Sequence, residues 1–106
     1  MPKYLIEARY NAEGARGVKR EGGTSRRDTA AKAAEALGGK LEAFYFAFGE
    51  VDVYAIIEYP DEKAALAASI AVNQTGVSSA RFIPLIAPET VDAAAKLAPV
   101  FRGAGQ

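Results

Sequence analysis

Between Gly38 and Asp61 the chain runs through a helix stop, a strand, a tight turn, a second strand and a helix start. That order leaves few folds open. Gly38-Gly39 end whatever helix precedes them. From Leu41 to Phe48 the residues alternate, with Phe44, Phe46 and Phe48 on one face and Ala43, Tyr45 and Ala47 on the other. Gly49-Glu50-Val51 turns the chain. A second run, Asp52 to Tyr59, sets Val53, Ala55 and Ile57 on one face and Asp52, Tyr54, Ile56 and Glu58 on the other. Two β-rich runs joined by a short connection with a glycine make a hairpin. Pro60 stops it, Asp61 caps a helix, and Glu62 falls in that helix's first turn, where the dipole favours an acid.

The flanks extend the pattern. Lys3 to Tyr10 reads as a strand with Tyr4, Ile6, Ala8 and Tyr10 on one face and Leu5, Glu7 and Arg9 on the other. Asn11 to Glu21 holds Gly14 and Gly17, which predict at most a short or weak helix, and Gly22-Gly23 breaks it. Thr24 or Ser25 then caps a helix to about Leu37. Ser25 with Asp28 resembles a capping box, and Ala30, Ala33, Ala34 and Leu37 make the apolar stripe. Past Asp61, Leu66, Ile70 and Asn73 recur at helical spacing until Gly76. Val77 to Ile86 reads as a strand in which Pro84 marks an edge or a bend. Pro88-Glu89 opens a short helix to about Leu97, and Pro99 to Gln106 reads as a loose tail or docking arm. The order β-α-β-β-α-β is the α+β, ferredoxin-like plan: a four-stranded antiparallel sheet with its helices on one face, plus a short C-terminal helix. Residues 1–106 suit one domain.

Composition excludes more chemistry than it suggests. There is no cysteine and no histidine among the 106 residues, which removes disulfides, thiol nucleophiles, imidazole bases and nearly every zinc or iron site. No metal or permanent cofactor is expected, and the lack of cysteine suits a cytoplasmic location. Formal net charge is zero, so electrostatics gives no reason to expect nucleic acid. The first residues hold no long apolar run of the kind a signal peptide has, and no stretch reaches the ~18 apolar residues of a membrane span. A membrane partner is therefore not expected either.

With both main helices on one side, Phe44, Phe46, Phe48, Val53, Ile57, Ile6 and Phe82 are expected as the core beneath them. The other face then shows Leu5, Glu7, Arg9, Tyr45, Tyr54, Ile56, Glu58, Ser79, Arg81 and Ile83. A solvated face usually has fewer tyrosines and isoleucines, and an obligate interface fewer charges. The mixture fits an interface between copies that also lines a cavity. The candidate ligand-binding set is Tyr45, Tyr54 and Arg81 with Glu7, Arg9 and Glu58: aromatic walls, one forked cation suited to a carboxylate or phosphate, and acids that pair with it when the site is empty. An ordinary half-polar face with Glu7 or Glu58 paired to Arg9 or Arg81 is the plainer alternative. Two other features have a local reading beside a functional one. Asp52 is an acid at a site mouth or a turn residue that binds backbone N–H groups. Glu21-Gly22-Gly23-Thr24-Ser25-Arg26-Arg27 is an anion-binding helix start or only a helix start, and it lacks the Gly-Lys-Ser/Thr element of a P-loop.

The chain resembles the GYD-domain proteins over nearly its whole length. The similarity is carried by Pro2-Lys3-Tyr4-Leu5, by Glu13-Gly14-Ala15-Arg16-Gly17 with Glu21-Gly22-Gly23-Thr24, and above all by Gly38-Gly39-Lys40-Leu41, Phe48-Gly49-Glu50-Val51-Asp52 and Tyr59-Pro60-Asp61-Glu62. Gly49 and Asp52 match the family's Gly-Tyr-Asp signature, and Val51 stands where its tyrosine is expected, so no role of that tyrosine carries over. The resemblance implies a ferredoxin-like fold, an oligomer and no assigned substrate. Three functions fit the residues. They are a self-associating module that binds a small anionic metabolite or acts as an accessory or regulatory protein, a cofactor-free enzyme similar to the monooxygenases and isomerases of the dimeric α+β barrel group, and a purely structural interaction protein. The first is adopted, and catalysis is not assigned.

Overall fold

The computed structural model describes residues 1–106, with strands β1 (Lys3–Tyr10), β2 (Lys40–Phe46), β3 (Val53–Glu58) and β4 (Ser78–Leu85), and helices α1 (Ala12–Glu21), α2 (Gly23–Ala36), α3 (Glu62–Asn73) and α4 (Pro88–Leu97). The strands form one antiparallel sheet in the order β2-β3-β1-β4, the ferredoxin-like arrangement. Alternation sets the faces. Tyr4 and Ile6 of β1, Val53, Ala55 and Ile57 of β3 and Ala80 of β4 are buried on one side. Ala34 of α2 and Ala64, Ala65 and Ala68 of α3 cover that side. Tyr59, just past β3, is the largest fully buried side chain. It packs edge-on to Tyr4 at 5.9 Å between ring centres, with Phe82 at 6.3 Å.

Local chemistry closes each element. Leu37 caps α2, Gly38 takes φ 77° behind it, and the Gly38 and Gly39 N–H groups donate to the Glu35 and Ala34 carbonyls, the paired bonds of a Schellman stop. The Asp61 side chain accepts from the Ala64 N–H and starts α3. Pro84 lies on β4, an edge strand, as the rule for proline in sheets requires. On the same edge the Asn73 side-chain amide accepts from the Ala80 N–H and donates to the Ala80 carbonyl, standing in for a neighbouring strand. A bulge between Leu41 and Ala43 interrupts β2 at the opposite edge.

Several expectations are overturned. The segment expected to form at most a short or weak helix is a regular ten-residue helix, Ala12–Glu21, because the Asn11 side chain caps it by accepting from the Gly14 N–H and also donates to the Gly76 carbonyl. Gly14 does not break α1. It lets the helix approach β4, since a methyl group there would collide with the Val77 carbonyl. The Ser25–Asp28 capping box does not form: Gly22, at φ 86°, precedes α2 with no side-chain cap, and Asp28 pairs with Arg27. The phenylalanine strip is only partly core. Phe44 and Phe82 pack against the core, Phe46 stays 43% exposed, and Phe48 lies beyond the end of β2 in solvent. Alternation placed Phe46 on the correct side, but α2 covers that end of the sheet only with its first residues, where Gly23 meets the Phe46 ring. Leu66 and Ile70 face outward from α3, whose inward stripe is alanine. Finally, α4 has no buried residue. With the tail it stretches the molecule to 56 Å and raises the radius of gyration to 17.0 Å, against about 13 Å for a compact chain of this length.

Candidate functional site

Strand pairing sorts the helix-free face into rows. Tyr45 opposes Tyr54, Tyr54 opposes Glu7, and Glu7 opposes Arg81, so these four residues form a single line across all four strands. The next row is apolar: Ala43, Ile56, Leu5 and Ile83. The one beyond it holds Lys40, Glu58, Lys3 and Leu85. On the other side of the tyrosine row, Arg9 opposes Ser79 near the β2–β3 turn.

The predicted set is therefore brought together in part. Tyr45, Tyr54, Glu7 and Arg81 are neighbours, with Tyr45 72% and Tyr54 39% exposed. Arg9 borders them, but its Nε donates to the Glu50 carbonyl at 2.6 Å and so pins the hairpin turn to β1. Glu58 sits four residues along β3 from Tyr54, roughly 13 Å away at strand rise, beyond the apolar row. It pairs with Lys3 at 3.8 Å. Of the expected cross-pairs, Glu7 with Arg81 is present, at a long 3.9 Å.

The firmest ion pair on this face is Lys3 Nζ to Glu42 Oε1, 3.0 Å. Hydrogen bonding to Lys3 holds the Glu42 carboxyl below the usual carboxylate range, and the same bond raises the Lys3 ammonium. Such a carboxylate stays ionised, as a structural pair does, and is unsuited to general-acid work. Asp52 is equally committed: its Oδ2 accepts the Tyr10 N–H at 2.8 Å and its own N–H donates to the Ala8 carbonyl. The carboxylate thus extends the β1–β3 ladder instead of binding its own turn. A crevice of only ≈ 20 Å³ opens on this face, between Glu7, Arg9, Val51, Ser79 and Arg81. It offers about the room of one water. Val51 lines this crevice together with Arg81.

Sequence reasoning missed two spaces that lie under the helices. A cleft of ≈ 380 Å³ runs between α2, α3 and the sheet. A more polar one of ≈ 420 Å³ adjoins it below α1. Alanine on both inward stripes was the available signal, since side chains that small cannot fill the gap between two helices. The Glu21–Arg27 segment forms part of this rim, with Arg26 3.7 Å from Glu21. No cluster of His, Cys, Asp or Glu with metal-binding geometry occurs, and no helix is long and apolar enough to cross a membrane.

The GYD-domain family model matches residues 4–95, from β1 into α4. The chain belongs to that family. No curated protein and no solved structure matches it.

Proposed function

We propose that this GYD-domain protein is a self-associating binding module of the cytoplasm, in which two helix-free sheet faces meet and a small anionic metabolite is held between them against Tyr45, Tyr54 and Arg81. The observation that supports this most is the row order. An apolar band, Ala43-Ile56-Leu5-Ile83, runs beside a band with two tyrosines and one arginine. Packed on a second copy about a two-fold axis, the apolar band supplies contact, and the tyrosine band borders it as the wall of a pocket. Between Glu7, Arg9 and Arg81 on this face a single chain leaves a crevice of ≈ 20 Å³, too small for a metabolite, and a partner copy packed on the face would supply the opposite wall. The Arg81 guanidinium has one distant acid partner, Glu7, and a ligand carboxylate or phosphate competes for it directly. That competition sets a modest affinity.

Sedimentation equilibrium at micromolar concentration is expected to give a mass above the 11.2 kDa of one chain; a pure monomer refutes the association. For the site, a thermal-shift screen of anionic metabolites on wild type and Arg81→Ala is expected to yield stabilisers that the variant no longer binds. A stabiliser that the variant binds as well as wild type removes Arg81 from the site. A variant that dissociates to monomers makes Arg81 an interface residue only.

A further inference from the structure

The cleft beneath the helices lies on the opposite side of the sheet from the face that carries Tyr45 and Arg81. It is lined by 21 residues, of which 19 are hydrophobic. Its floor is the core face of the sheet, including Ile6, Val53 and Ala55, and its walls are alanines of α2 and α3. On α2 the lining residues are Arg26, Ala30, Ala33, Ala34, Ala36 and Leu37, a helical stripe that follows the element from its first turn to its end. At helix rise, Arg26 and Leu37 lie about 16 Å apart. The space is therefore long and narrow. It holds one charged residue, Arg26, at one end only.

The state of that arginine gives the cleft a polarity. Its side chain is one-third exposed, and its nearest acid oxygen, Glu21 Oε2, is 3.7 Å away. Its guanidinium donates no hydrogen bond within the protein; only its backbone N–H does, to Gly22. A guanidinium with uncommitted donors beside an apolar slot recognises an anion attached to an apolar body. At ≈ 380 Å³ the slot lies at the low end of the roughly 300–1,000 Å³ of small-molecule sites, so the body is small. Beyond Arg26 the neighbouring cleft continues past Tyr10, Ser78 and Thr75 toward solvent, which leaves the head group hydrated and an entry path open.

We infer that this cleft binds a small, elongated apolar carboxylate, with its chain between the α2 and α3 alanines and its head group on Arg26. Alanine is what makes the space. Larger residues at Ala33 or Ala67, both on the lining and both solvent-exposed, would fill the slot without displacing a core side chain.

The test uses octanoate, with octanol as the uncharged analogue and the full chain throughout. Octanoate below its micelle concentration is expected to bind and raise Tm, and to shift the amide resonances of α2 and α3 but not those of the open sheet face. Arg26→Gln is expected to weaken octanoate about tenfold or more and octanol less than about twofold, the signature of a charge-assisted contact. Ala33→Leu and Ala67→Leu, each checked for native far-UV circular dichroism, are expected to weaken both probes together. Absence of octanoate binding overturns the inference. So does equal affinity for octanoate and octanol, or an Arg26→Gln variant that binds octanoate like wild type. An octanoate affinity that falls as protein concentration rises means that a second copy already fills the cleft, which overturns it too. Because the two sites sit on opposite faces, loss of this one leaves the sedimentation mass unchanged, and a monomer in sedimentation leaves this one intact.

Discussion

The two faces of the sheet are built from the same strands and differ in what their side chains are asked to do. The covered face collects Ile6, Val53, Ala55 and Ile57 under alanine-lined helices, and it is apolar but incompletely filled. The open face alternates apolar, aromatic and charged rows, and its ion pairs, Lys3 with Glu42 and Glu58 and Glu7 with Arg81, span 3.0 to 3.9 Å. Stability therefore resides on one side, where apolar area leaves water. On the other side, surface ion pairs contribute little energy and serve mainly to set which groups the face presents. Small side chains divide the tasks further. They bring helices close to the sheet, at Ala34 and Gly14, while leaving the helices apart from each other.

The comparison can be broken most severely at neighbouring isoleucines of β3. Ile57→Ala, on the covered face, is expected to cost roughly 2–5 kcal/mol in urea unfolding. Ile56→Ala, one residue away on the open face, is expected to cost under about 1 kcal/mol in the single chain and to show its main effect as weaker self-association. Equal costs for the two would mean that both faces are core.

Tyr59 gives the next largest effect. Burial pushes its hydroxyl up to about 12, while the unfolded chain ionises near the ordinary value of 10.0. A folded pKa above the unfolded one stabilises the native state fully below pH 10, and that stabilisation is lost as pH rises toward 12. Over this window stability is expected to fall by an amount of order 3 kcal/mol, since each tenfold difference in proton affinity between the two states is worth about 1.4 kcal/mol. Tyr59→Phe should flatten that alkaline limb; a variant with an unchanged limb would assign the loss to other groups.

A smaller effect sharpens the boundary between the faces. Phe46 points to the helix side yet is 43% exposed. Phe46→Ala is expected to cost about 1 kcal/mol in thermal unfolding, well under the roughly 3–5 kcal/mol of a fully buried aromatic. A loss in the upper range would show that the ring is covered in the assembled protein. The smallest effect belongs to Arg81→Ala, expected within about 0.5 kcal/mol in single-chain stability, because its guanidinium is largely solvated.

What the sequence made legible follows from how local each cause is. Strand faces were readable because side-chain direction alternates by geometry alone, and so Tyr45, Tyr54, Glu7 and Arg81 were assigned to one face. Helix ends at Gly38 and Asp61 were readable because cap chemistry is confined to a few residues. The full regularity of α1 was not, since Gly14 counts against a helix by propensity and its reason for being there, the Val77 carbonyl, is 63 residues away in the chain. Coverage was not readable either. Alternation says that Phe46 and Phe48 turn toward the helices, but only the placement of α2 decides how far its cover extends. The helix-side cleft depends on the separation of α2 and α3, which no local rule specifies.

The ends of the sheet carry a consequence for behaviour at high concentration. A bare strand edge is a template on which further chains add by backbone pairing, and growth of that kind has no natural stopping point. Here β4 carries Pro84, which has no N–H to offer, and the Asn73 amide already occupies both polar groups of Ala80. At the far edge the β2 bulge interrupts the regular spacing that an incoming strand would need. Edge-to-edge polymerisation is thus blocked at both ends. Any assembly formed through the face ends with the partner that covers it, a count fixed by symmetry and not by supply, and crowding such chains together favours finite particles over fibres.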